Sequence, residues 1–102
     1  MAKDRYQGKP LLRLLELYVL RAIGHLTSND ESRLQGMAPL LSQTYNVDGS
    51  WHEILRAVME FPPNMPEILA GIWQRNVDAA KAQGAHADPE QFAMAVTDKN
   101  FV

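Results

Sequence analysis

The longest apolar run in the chain, LLRLLELYVLRAIGHL at residues 11–26, has the periodicity of an amphipathic helix. Its polar residues project to one half of the helical circumference, and most of its apolar residues project to the other half. An apolar face this wide is typical of the central helix of a bundle. Pro10 precedes the run and suits an opening turn. The pattern therefore predicts a first helix at the centre of the fold.

Leu17 and Leu20 do not fit this division, because both fall deep inside the polar half of the first helix. They are three residues apart and so lie next to each other on the helix surface. Arg13, Glu16 and Arg21 surround them, and charges around an apolar centre can set the register of two paired copies. We therefore consider this patch as a self-association surface. Two alternatives stay open: a partner protein covers the leucines, or another segment of the chain does, with the C-terminal NFV as a candidate.

Two further helical stripes follow the first helix. The stripe at residues 34–45 contains Pro39, which lacks the amide that would bond to the carbonyl of Gln35, so we expect a kink or two short helices. Ser-x-x-Glu capping boxes at residues 28–31 and 50–53 mark where these helices begin. The apolar positions of the later stripe are Trp51, Ile54, Leu55 and Val58.

The segment EFPPNMPEIL, residues 60–69, predicts a corner between the third and fourth helices. Pro62 and Pro63 end the third helix, because the residue before a proline is disfavoured in the helical region. Asn64 is suited to cap the helix that follows. The prolines are thus accounted for structurally. Phe61 beside them offers a second interpretation, a rigid apolar knob that a partner recognises.

The fourth helix is predicted from Met65 to about Gln83, with Gly84 as the residue that ends it. Asn76 lies near the middle of its inward face, so we expect a buried side chain that bonds to another segment or contacts a ligand. The other residues of this face are Met65, Ile68, Leu69, Ile72, Trp73, Val77 and Ala80. Asp88 is the predicted cap of a last helix.

These elements predict an all-α fold with a single compact domain of about five helices in residues 10–102. Residues 1–9 are predicted to form a flexible basic arm. The composition agrees with a globular domain, because 46% of the 102 residues are hydrophobic and 22% are charged. A chain of this length can bury one modest core.

Candidate chemistry is sparse. The chain has no cysteine, which excludes a disulfide framework, a thiolate nucleophile and a cysteine zinc site. Residues 51–55, WHEIL, contain the His-Glu pair of a zinc protease helix, but Arg56 stands where the second histidine is needed. No phosphate-binding glycine loop or nucleophile elbow occurs. We therefore predict no enzymatic activity and no catalytic, cofactor-binding or metal-binding residues. No cofactor or small-molecule ligand is identified.

Charge is divided unevenly along the chain. Residues 1–21 carry a net charge of +3, whereas the remainder carries −5. The basic start is a possible contact for nucleic acid. The predicted fourth helix, however, has equal numbers of acidic and basic residues and so offers phosphate no net attraction. The pattern as a whole does not favour nucleic acid as the partner.

The apolar run at residues 11–26 is shorter than the roughly 20 residues needed to cross a bilayer. The first residues also lack the pattern of a signal peptide. We therefore predict a cytoplasmic protein that does not enter the membrane. The sequence favours a small non-enzymatic protein that acts by binding a partner protein or its own copy, as a homodimer. The alternatives are a nucleic-acid-associated regulator that uses the basic arm, and an enzyme or ligand-binding subunit whose site forms between subunits.

Overall fold

The computed structural model of the protein describes residues 10–101, and within this range every regular element is an α-helix. The helices are α1 (Pro10–Ala22), α2 (Ser28–Gly36), α3 (Ala38–Tyr45), α4 (Trp51–Met59), α5 (Met65–Ala82) and α6 (Pro89–Phe101). The prediction of an all-α fold is confirmed. The predicted arm at residues 1–9 and the last residue, Val102, lie outside the described residues.

Six helices replace the predicted five because the stripe around Pro39 is divided. α2 ends at Gly36, and α3 begins two residues later, at Ala38. Pro39 is the second residue of α3, where a missing amide removes no helical hydrogen bond. The proline therefore marks a new start, which was one of the two outcomes expected from the sequence.

α1 is surrounded by other helices, since it packs against α4, α5 and α6. Leu17 and Leu20 are only 5% and 2% exposed, and both belong to the buried core cluster. The hypothesis that these leucines form a surface for self-association is therefore wrong, because they are covered within the chain. A polar half on the helical projection did not become an exposed half, because neighbouring helices cover α1 on several sides.

The same packing carries Glu16 inward, where it is only 3% exposed. Its carboxylate forms an ion pair with the guanidinium of Arg13 at 2.6 Å. A buried carboxylate needs such a partner, because removal from water without compensation is costly. Glu16 is therefore part of the packed structure, and the prediction that it contributes to a charged rim around an interface is wrong.

The predicted N-terminal caps are confirmed for α4 and α6 but not for α2. α4 begins with the predicted box, in which the carboxylate of Glu53 accepts a hydrogen bond from the backbone N–H of Ser50 at 2.9 Å. At the start of α6, Asp88 accepts hydrogen bonds from two backbone N–H groups at 2.9 and 3.3 Å. α2 differs, because Thr27 is its cap and accepts from a backbone N–H at 3.1 Å. The prediction that Ser28 and Glu31 form a capping box is therefore wrong, because Thr27 caps this helix.

The proline corner joins α4 to α5 as predicted. α4 ends at Met59, and its C-cap Glu60 adopts the left-handed conformation with φ 56°. The backbone N–H of Phe61 then bonds back to the carbonyl of Arg56 at 3.0 Å. Asn64 precedes α5, but its side chain makes no capping hydrogen bond. The corner is thus built by backbone bonds and prolines, and the capping role predicted for Asn64 is wrong.

α5 is the longest helix of the fold, with 18 residues. In the part of the chain that the structure describes, no helix combines the length and the apolar character needed to cross a bilayer.

Candidate interaction groove

An open groove with a volume of about 1160 Å³ runs between α5 and α6. Both helices pack against α1, whereas they share few contacts with each other. α1 is therefore the floor of this space, and α5 and α6 are its walls. We call it the α5–α6 groove. Its apolar lining includes Leu15, Tyr18 and Val19 on the floor, Ile68 and Ile72 on the α5 wall, and Val96 on the α6 wall.

Ile68 and Ile72 are the most exposed large apolar residues of this lining, at 42% and 37%. They lie one helical turn apart and so share one side of α5. Leu69, by contrast, is buried in the core. The prediction that the whole apolar stripe of α5 faces inward is therefore only partly right. The side of the stripe that contains Leu69 packs in the core, whereas the side that contains Ile68 and Ile72 faces the groove.

Aromatic contacts fix the position of α5. The ring of Trp73 meets the ring of Phe92 on α6 edge to face, with 5.2 Å between centroids. It also meets the ring of His25, just after α1, at 5.4 Å. Edge-to-face aromatic pairs contribute roughly 0.5–1.5 kcal/mol beyond the area they bury. α5 is thereby held to the start of α6 and to the end of α1.

The rim of the groove is polar and carries two cationic side chains. Arg75 lies on the α5 side, and Lys99 lies on the α6 side. Neither forms an ion pair with another residue in the range 10–101. Asp88 also lines the groove, but its carboxylate accepts the two backbone hydrogen bonds that cap α6. Arg75 and Lys99 are therefore the charges of the lining that are available to a ligand.

Asn76 lies on the same rim, and its side chain is exposed. The prediction that Asn76 is buried is wrong. The physical reason is that no helix of the described chain covers this side of α5, although the sequence places Asn76 on its apolar stripe. Contact with a ligand, the other half of that prediction, stays a prediction.

The other residues predicted to form an interface are not brought together. Phe61 lines the groove, where its ring lies 5.5 Å from the ring of Tyr18. The lining includes none of Arg13, Glu16, Leu17 and Leu20. The sequence carried no separate signal for the groove, because an apolar stripe as wide as that of α5 is typical of a surface helix.

Among the described residues, α1, α5 and α6 bound the groove, and it is open to solvent between α5 and α6. No family model, curated protein or solved structure matches this chain. The side chains of the groove are therefore the basis on which its role is inferred.

A second, smaller pocket of about 230 Å³ lies between α1, α4 and the proline corner. Tyr18, Arg21, His52 and Arg56 contribute to its lining. Burial raises the pKa of the Tyr18 phenol. Burial also lowers the pKa of the His52 imidazole, and the positive charge of Arg21 adds to that effect. Burial thus favours the neutral form of both groups; the positive charges of Arg21 and Arg56 add to this effect at His52 but oppose it at Tyr18.

Ser50 and His52 are placed at the distance of a nucleophile and its base, with 3.0 Å between Oγ and Nε2. The Ser50 hydroxyl, however, donates its proton to the carboxylate of Glu53 at 2.8 Å. It therefore accepts from His52, whereas a nucleophilic serine must give its proton to the histidine. The hydrogen bonds of Ser50 therefore belong to the capping box at the start of α4.

Among the described residues, no group of three or more His, Cys, Asp or Glu side chains is placed to hold a metal ion.

Proposed function

We propose that the protein is a non-enzymatic interaction module whose α5–α6 groove binds one amphipathic helix of a partner protein. The observation that supports this most directly is the exposure of Ile68 and Ile72 above an apolar floor. Apolar side chains that share one groove and remain open to solvent commonly mark an interaction site. An amphipathic helix laid into an apolar groove is a recurring mode of protein recognition.

The dimensions of the groove favour a polypeptide as its occupant. Its lining on α5 extends from Met65 to Ala80, which corresponds to about 23 Å at the rise of an α-helix. A bound helix of about 15 residues has the same length. The volume of about 1160 Å³ also exceeds the roughly 300–1,000 Å³ of common small-molecule sites.

This proposal replaces the earlier hypothesis of self-association through the first helix, because Leu17 and Leu20 are buried. A nucleic-acid contact through residues 1–9 stays a prediction, since these residues lie outside the described range. Cytoplasmic location and a site formed between subunits are likewise still predictions.

A selection experiment tests the proposal. A displayed library of amphipathic helices of about 18 residues is selected against the full-length protein, and the enriched peptides are titrated by calorimetry. We expect Ile68→Asp/Ile72→Asp to weaken their binding by about tenfold or more, because two charges enter the apolar wall. The matched control is Leu40→Asp, which changes a 61% exposed leucine of α3 outside the groove. This control is expected to bind as the wild type does.

Circular dichroism of each variant shows whether the helices are retained. Failure to enrich any peptide contradicts the proposal. So does a set of peptides whose affinity is unchanged in Ile68→Asp/Ile72→Asp, or one that Leu40→Asp weakens equally.

A further inference from the structure

The α5–α6 groove carries a positive charge on each of its two walls. Arg75 lies on α5, and Lys99 lies on α6. Arg75 is seven residues before the end of α5, and Lys99 is ten residues after the start of α6. At 1.5 Å per residue they stand about 10 and 15 Å from the connection between the two helices. The two cations therefore lie on opposite walls of the groove, at distances from this connection that differ by about one helical turn.

Neither cation has an internal use in the described structure. No ion pair joins Arg75 or Lys99 to another residue between 10 and 101. The acidic residue of the lining is Asp88, and its carboxylate is held by backbone N–H groups at the start of α6. The positive partial charge of that helix end offsets the charge of Asp88. Arg75 and Lys99 are thus the cationic side chains that the described lining offers to a carboxylate.

We propose that the occupant of the groove is an acidic amphipathic helix, with carboxylates on both sides of its apolar face that pair with Arg75 and Lys99. This inference rests on the proposed function and adds the chemistry of the partner. A helix lying between the walls turns its apolar face to the floor and its flanks to the rim. Two acidic side chains within about one turn of each other, one on each flank, meet the two cations. Charge pairs at a rim contribute to the choice of partner and its orientation more than to affinity.

Charge also argues against the chain's own N-terminal segment as the occupant. Residues 1–9 contain Lys3, Arg5 and Lys9 against a single acidic residue, Asp4. The cations of the groove repel a segment of this charge. An acidic helix from another protein is favoured for the same reason.

The test uses the helical library with its flanking positions varied among Glu, Gln and Lys. It is selected separately against the wild type and against Arg75→Glu/Lys99→Glu. We expect the wild type to enrich Glu at the flanks and the reversed variant to enrich Lys. Peptides selected on the wild type are expected to lose about tenfold in affinity on the reversed variant, with the difference shrinking as salt screens the charges.

The matched control is Arg33→Glu/Lys81→Glu, which changes the net charge of the protein by the same amount at residues that do not line the groove. It is expected to select the same Glu-rich peptides as the wild type. Selection of Lys-rich peptides by this control overturns the inference, because the preference then follows total charge and not the two rim cations.

The remaining outcomes separate this inference from the proposed function. If enriched peptides show no charge preference but still require Ile68 and Ile72, the groove binds helices and the acidic partner is wrong. If they require neither the isoleucines nor the cations, both proposals fail. Dimerisation that Ile68→Asp/Ile72→Asp abolishes in sedimentation equilibrium identifies a second copy as the occupant and overturns the acidic partner.

Discussion

The indole N–H of Trp51 donates a hydrogen bond of 2.7 Å to the carboxylate of Glu31, 20 residues earlier in the chain. Trp51 is fully buried at the start of α4, and Glu31 belongs to α2. The other oxygen of the same carboxylate lies 3.3 Å from the guanidinium of Arg21 on α1. Glu31 therefore joins three helices at one point.

We predict that Glu31→Ala lowers the free energy of unfolding by about 1–3 kcal/mol, because it leaves the buried indole N–H without its acceptor. Glu31→Gln keeps an acceptor oxygen and is expected to cost less. Little of the loss is expected from the ion pair with Arg21, since exposed pairs contribute little. Urea denaturation followed by circular dichroism measures both variants. Equal losses for alanine and glutamine would show that the hydrogen bond to Trp51 is not the cause.

Leu20 and Ile68 provide a matched test of which apolar residues form the core. Leu20→Ala is expected to cost about 2–5 kcal/mol, because it opens a cavity beside a fully packed helix. Ile68→Ala, in the wall of the groove, is expected to cost about 1 kcal/mol or less, because much of the side chain is already in water. The same denaturation experiment compares them. A larger loss at Ile68 than at Leu20 contradicts this assignment of core and surface.

A second pair of variants tests the helix caps. Asp88→Ala is expected to cost about 1 kcal/mol, because the carboxylate accepts backbone hydrogen bonds at the start of α6. Asn64→Ala is expected to cost less than about 0.5 kcal/mol, since a side chain that makes no capping bond has none to lose. Thermal unfolding of the two variants shows the difference. Similar losses at both positions would restore the capping role predicted for Asn64 from sequence.

Glu60→Gly is predicted to stabilise the protein by about 0.5–1 kcal/mol, because a left-handed conformation costs a residue with a side chain more than it costs glycine. Asn46 ends α3 in the same conformation, with φ 58°, and is the control. Asparagine tolerates this conformation, so Asn46→Gly is expected to gain less. A loss of stability in Glu60→Gly, seen as a lower midpoint in urea, argues against the prediction.

The pKa of His52, lowered by burial and by Arg21, predicts a dependence of stability on pH. Between this lowered pKa and the value of about 6.5 in the unfolded chain, the unfolded state binds more protons than the folded state. Stability is therefore lost as the pH falls from about 6.5 to the pKa of the folded state, and no further below it. His52→Gln is expected to flatten this part of the stability curve.

An NMR titration of the His52 ring measures its pKa directly. A midpoint at or above about 6.5 contradicts the prediction, as does a stability curve that His52→Gln leaves unchanged.

Local features of the chain were predictable because their causes lie within a few residues. The apolar period of residues 11–26 indicated α1, Pro39 indicated the break between α2 and α3, and Asp88 indicated the start of α6. A cap, a proline or a helical period acts on backbone groups about four residues away at most. The all-α class follows from such signals alone.

The tertiary structure decided which faces of each helix are buried against neighbouring helices. Leu17 and Leu20 lie on a polar half of α1, yet other helices bury them; Ile68 and Ile72 lie on an apolar stripe of α5, yet no described helix covers them. The helical period determines which residues share a face, but it contains no information about how many helices will pack around it. The α5–α6 groove depends on that number, because it exists only where α5 and α6 both pack on α1 and leave the space between them open.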